Sequence, residues 1–139
     1  MQARNPEYKT FVKNIFKLAP YIQSLGIELV DLGAGWVETE LRIRPNHLQQ
    51  SGFVHAGVQA TIADHSAGAA AATLVPPNTN ILTIEFKINL LRPARGEKLI
   101  CRAQVLKPGR TITVVESTVE TVHEGKRSLT SKATITIAN

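Results

Sequence analysis

Cysteine is nearly missing: Cys101 is the only one among 139 residues. No intrachain disulfide or cysteine-rich metal cluster can form, which fits a reducing compartment. Cys101 itself falls within a strand-like alternation and reads as a packed, small apolar residue. Long apolar runs are missing too, since none approaches the roughly 20 residues of a membrane span, and Met1 to Thr10 lacks the polarity of a signal peptide. The expectation is a soluble, cytoplasmic protein with no membrane partner. Blocks of one charge sign are also absent. The formal net charge of +5 comes from Lys and Arg scattered among acids, without a run of about five or six like charges. Nucleic acid is therefore not an expected partner, whereas an anionic small ligand stays open. His47, His65 and His123 show no ligand spacing with cysteines or acids, so no metal is expected. No nucleophile-elbow serine, phosphate loop or dinucleotide fingerprint is present.

A chain of 139 residues makes one domain, able to bury roughly two thirds of its unfolded surface around a single core. Asn5 and Pro6 resemble a helix cap and first-turn proline, and Phe11, Ile15 and Leu18 recur at helical spacing until Pro20. Residues 1–25 thus read as an N-terminal segment built on one amphipathic helix. After Gly26 the period changes to two. Ile27, Leu29 and Leu32 suggest a short strand, Gly33 to Gly35 a turn, and Val37, Thr39, Leu41 and Ile43 a second strand that ends at Pro45. Asn46 to Val54 has no period and reads as an amide-rich loop. Ala56 to Leu74 is dominated by small residues and would run, as a helix, on the order of 30 Å before Pro76 and Pro77 stop it. Strands follow over Leu82 to Leu90, Leu99 to Val105, Thr111 to Val122 and Leu129 to Ile137, separated by turns rich in Pro and Gly. The expected class is α+β: an antiparallel sheet wrapping its apolar face around the one helix long enough to cover it.

Asp64 stands out inside that helix. Carboxylates are seldom buried unless paired, yet its neighbours at helical spacing, Ala60, Thr61, Ala67 and Gly68, offer little bulk and no compensating charge. Such a face suits close helix packing, or it leaves room for a ligand beside the carboxylate. The helix start adds unpaired N–H groups at Ala56 and Gly57 and the positive end of the helix dipole, where a developing oxyanion is stabilised. His55 precedes Asp64 by nine positions, about 13 Å along one helix axis, so the two form no direct dyad within a chain; His55 reads as a positioning group at the helix start.

The order of these features, H-A-G-x-x-x-x-x-x-D on a long helix followed by consecutive strands with an L-R-P-A-x-G turn, resembles the hotdog-fold acyl-CoA thioesterases. More narrowly it is similar to the PaaI-like family, that of the phenylacetate-degradation protein, over roughly Gly26 to Ile137. The family's usual H-G-G is His55, Ala56 and Gly57 here, which keeps the backbone N–H and adds a methyl. The resemblance implies Asp64 as catalytic carboxylate, Gln49 as the amide holding the attacking water or the carbonyl, and Thr83 as the hydroxyl that orients the water. It implies a homodimer whose two sheets join edge to edge, often paired into a homotetramer, with active sites between subunits.

The reaction so implied is hydrolysis of an acyl-CoA thioester to a free acid and coenzyme A, with Asp64 as general base or nucleophile. Coenzyme A is part of the substrate, and no separate cofactor is expected. Gly68 would give clearance to the substrate and His55 a contact at the helix start. Arg92, Arg95 and Lys87 are candidates for the coenzyme's phosphates, while Phe53, Leu74, Val75 and the N-terminal helix are candidates for lining the acyl pocket. Two other readings stay open: a non-catalytic acyl-CoA binding protein, and a hotdog hydratase or dehydratase, whose usual His followed by Pro-Gly is absent here.

Overall fold

In the computed structural model, which describes residues 1–139, two short helices, α1 (Tyr8–Lys17) and α2 (Pro20–Leu25), precede the strands β1 (Ile27–Gly33) and β2 (Trp36–Arg42). A long helix α3 (Ala56–Ala72) follows, and then β3 (Leu82–Leu90), β4 (Lys98–Lys107), β5 (Ile112–His123) and β6 (Lys126–Ala138). All neighbouring strands are antiparallel, in one six-stranded sheet of order β1-β2-β4-β5-β6-β3. Period-two patterning decides which side is dry. Leu99, Cys101, Ala103 and Val105 point inward and are buried with Val115, Val119, Ile135 and Ile137. On the outer face Lys98 meets Glu40 at 3.2 Å, Arg102 meets Glu38 at 2.7 Å and Lys132 meets Glu116 at 3.3 Å. α3 lies across the inner face, its Ile62, Ala63, Ala67 and Ala70 buried. The small side chains let it lie close enough for Ser117 Oγ to donate to the Ala63 carbonyl at 2.8 Å. No helix is long and apolar enough to cross a membrane.

Three local expectations change. The N-terminal segment is two helices, because Pro20 has no N–H to continue α1 and instead opens α2 at its first turn; Gly26, at φ 82°, closes α2. α3 stops at Ala72 instead of Leu74, since Thr73 Oγ1 bonds the Ala70 carbonyl and accepts the Gly35 N–H, both at 2.7 Å. The loop before α3 is also more ordered than its lack of period suggests. It contains a 3-10 turn over Pro45–His47 and a bridge between Leu48 and Val54. His47 is fully buried there: its Nδ1 accepts the Arg44 N–H at 2.9 Å, its Nε2 bonds the Leu25 carbonyl at 2.8 Å, and its own carbonyl takes the His55 N–H at 2.8 Å. The start of α3 is thereby tied to the end of α2.

β3 is an edge strand with little cover. Thr83, Phe86, Ile88 and Leu90 pair with Ile137, Ile135, Ala133 and Ser131, inward-facing residues of β6, so they lie on the helix side of the sheet. Even so, Phe86 is 45% and Leu90 51% exposed.

Candidate active site

Asp64 sits midway along α3, half-buried, and Thr83 lies opposite on the helix side of β3. Their partnership is direct: Thr83 Oγ1 donates to Asp64 Oδ1 at 2.7 Å. The register of β3 against β6 shifts just after Thr83, which ends regular pairing beside the carboxylate. Oδ2 is left without a protein partner. Both residues line a cavity of about 310 Å³ with Gly68, His65, Ile81 and, from α1, Phe11 and Ile15. Gly68, with no side chain, borders that space, where an added Cβ would come 3.9 Å from Ile81.

The start of α3 forms a second cavity of about 480 Å³, lined by Gln49, Phe53, His55, Ala56, Gln59, Leu90 and Arg92 among others. His55 is the N-cap, and its Nδ1 accepts the Gly57 N–H at 2.8 Å. Gly57 allows this approach, because a Cβ there would lie 3.0 Å from Nδ1. Of the two amides singled out from the sequence, Gly57 is therefore engaged by the histidine ring, and the Ala56 N–H has no acceptor within the chain. Gln49 spends its carbonyl oxygen on its own turn, accepting the N–H of Ser51 and that of Phe53. Its amino group faces no such demand.

One chain thus brings together Asp64, Thr83 and Gly68 in one place and Gln49, His55, Ala56 and Arg92 in another; the two cavities share no lining residue. Arg92 also borders an adjoining hollow of about 480 Å³ with Arg95, Thr121, His123 and Ser128, and its Nη1 donates to the Leu129 carbonyl at 2.9 Å. Lys87 does not join them. It pairs with Thr134 on the outer face of the sheet. Phe53 lines the helix-start cavity, whereas Leu74 and Val75 are buried at the far end of α3 and line neither site.

Two further groups escaped the sequence reading. Gln59 is buried in the helix-start cavity with its carbonyl oxygen unpartnered; its signal was that it is the one amide in a run of small residues, four positions after His55 and hence on the same helix face. His65, beside Asp64, meets the Phe16 ring edge-on at 4.7 Å and so fastens α1 to α3. Burial lowers its pKa, with the Asp64 charge pulling the other way; His47 is likewise lowered, chiefly by burial. Burial also raises the Cys101 thiol to about 11, so it remains a protonated core residue.

Comparison with known proteins places relatives around this geometry. A family described as the thioesterase superfamily matches residues 51–128. The crystal structure of a thioesterase family protein from Silicibacter pomeroyi superposes with a TM-score of 0.93 at 37% identity, covering 94% of this chain and 96% of that one. A protein of Halobacterium salinarum, named as an esterase by inference, is 38% identical over 104 residues, 70% of this chain and 67% of its own. Human acyl-coenzyme A thioesterase 13 is 26% identical over 114 residues, 81% of each chain.

Proposed function

The chain belongs to the thioesterase superfamily, a family of thioester hydrolases whose match runs through His55, Asp64 and Thr83, and on that premise we propose that it hydrolyses acyl-CoA thioesters with Asp64 as general base. The observation that carries this reading is the 2.7 Å bond from Thr83 to Asp64 Oδ1 beside an open cavity. It fixes one carboxylate oxygen and leaves Oδ2 to take a proton from water. The name of the human relative, an acyl-coenzyme A thioesterase, supports the substrate class.

Each site lies between two copies of the chain. The separation of Asp64 from the helix start within one chain supports this, as do the open edge of β3 and its uncovered Phe86 and Leu90. A second copy pairing along β3 would bring its own helix start toward Asp64. The thioester carbonyl oxygen then accepts the Ala56 N–H at the positive end of α3, and the Gly57 N–H joins when the His55 ring swings away. Water held by the Gln49 amino group loses its proton to Asp64 Oδ2 as its oxygen attacks the carbonyl carbon. The tetrahedral intermediate expels the coenzyme A thiolate, which takes the proton back from Asp64. Arg92 and Arg95 meet the phosphates of the coenzyme.

The test is a thioesterase assay across acyl-CoA chain types, with Asp64→Asn beside the wild type. Loss of a positioned general base lowers kcat by about 10²- to 10⁴-fold with folding intact. Undiminished hydrolysis would remove Asp64 from the mechanism, and tight coenzyme A binding without turnover of any thioester would turn the reading toward a binding protein. In a single turnover in ¹⁸O-water the label enters the product acid and not Asp64; label in Asp64 would mean an anhydride.

A further inference from the structure

We infer that Gln59 is a further substrate-binding residue, its carboxamide accepting the amide N–H nearest the sulfur in the thiol arm of an acyl-CoA; the inference rests on the acyl-CoA reading above. Gln59 is only 3% exposed, yet its side chain makes no hydrogen bond within the chain and its carbonyl oxygen is buried without a partner. A buried acceptor without a donor is a standing cost to the fold, and it persists where a ligand supplies the donor. Gln59 lines the cavity that holds the free Ala56 N–H. The two residues are three apart, on one helix face and about 4.5 Å apart along the axis. Behind the lining residue Leu90, its cross-strand partner Ser131 is buried with its hydroxyl oxygen equally unpartnered.

The chemistry of the ligand selects the contact. With the thioester oxygen on Ala56, the acyl side and the thioester itself offer acceptors only. The first N–H donor belongs to the amide one ethylene link beyond the sulfur. The arm must also cross this cavity to reach Arg92 and Arg95, because the helix-start cavity and the basic hollow share Phe53, Arg92 and Pro93.

The test replaces Gln59 by an apolar residue of similar length and compares three thioesters of one acyl group, those of coenzyme A, N-acetylcysteamine and ethanethiol. The first two carry the amide and the third does not. For Gln59→Met the expected result is a Tm equal to or above wild type, since an unpaired polar group is removed. KM should rise about fivefold to tenfold, the worth of one hydrogen bond, for the coenzyme A and N-acetylcysteamine esters, with no change for the ethyl ester and kcat held in all three. A lower Tm with equal losses on all three esters would mean a structural role, a kcat loss on all three a role with the attacking water, and no change at all no role; each overturns the inference. Should Gln59→Met not fold, Gln59→Asn, one methylene shorter, must give the same dependence on the amide. A wild type that hydrolyses none of the three defeats the acyl-CoA reading itself, whereas wild-type turnover that is indifferent to Gln59 defeats only this inference.

Discussion

The hydroxyl of Thr83 reaches a carboxylate 19 positions away in the chain, and the proposed mechanism uses that one bond to orient its base. Thr83→Val removes the donor and frees the carboxylate to rotate. Because a hydrogen bond to a charged group is worth about 1.5–3 kcal/mol, kcat is expected to fall about tenfold to a hundredfold, while Thr83→Ser keeps most of it. Equal rates in Thr83→Val and wild type would show the bond to be incidental. The resemblance of H-A-G-x-x-x-x-x-x-D to a family motif pointed to His55 and Asp64 as candidates, and the family's hydroxyl on the strand after the helix pointed to Thr83. The use of the Gly57 N–H by His55 was not legible, because it depends on how one ring is turned. Nor was the loneliness of Gln59, which is a property of what surrounds it in space.

At the scale of elements, α1, already a candidate from the sequence for lining the acyl pocket, borders one of the two cavities. Phe11 and Ile15, one turn apart, wall the cavity beside Asp64, and its volume of about 310 Å³ is roughly twice the ~150 Å³ that takes up a benzene ring. On the proposed reading that space would take an acyl group of one ring or a short chain. Phe11→Ala is expected to shift the preferred substrate toward longer acyl groups, read as kcat/KM along a chain-length series; an unchanged profile would remove α1 from specificity. The same helix rests on His65 through Phe16. His65 and His47 both have folded pKa values below the ordinary 6.5, so as pH falls through that value the unfolded chain takes up protons that the folded one refuses. Stability should therefore fall with acidification below about pH 6.5 and stay flat in this respect above it. His65→Gln should make Tm fall less steeply between pH 7 and 5, and an unaltered slope would contradict this. Period-two alternation located the strands and the run of small residues located α3, because β2, β4, β5 and β6 each bury one face and α3 packs close on them. Neither showed the break at Pro20 or the end at Ala72, which are decided by Pro20 at a helix start and by Thr73 turning back on the backbone.

For the whole molecule, the decisive feature is what the single chain leaves unfinished: an open β3 edge with exposed Phe86 and Leu90, and the Asp64 carboxylate and the free Ala56 N–H in separate cavities. Placing Lys at Ile84, which is 57% exposed within β3, should weaken association and activity together, as sedimentation and assay would report; full activity in a monomer would refute a shared site. The most direct measurement mixes two inactive variants. Asp64→Asn lacks the base. Ala56→Pro lacks the oxyanion N–H but spares the helix, because proline is tolerated at the first helical position and His55, at φ −58° and ψ 139°, already has the backbone that precedes a proline. Dissociated and reassociated at equal amounts, half the dimers are mixed and each mixed dimer has one intact site of two, so activity should return to about a quarter of wild type. Mixed dimers that form and show no activity beyond that of the two parents would contradict a site built from two chains.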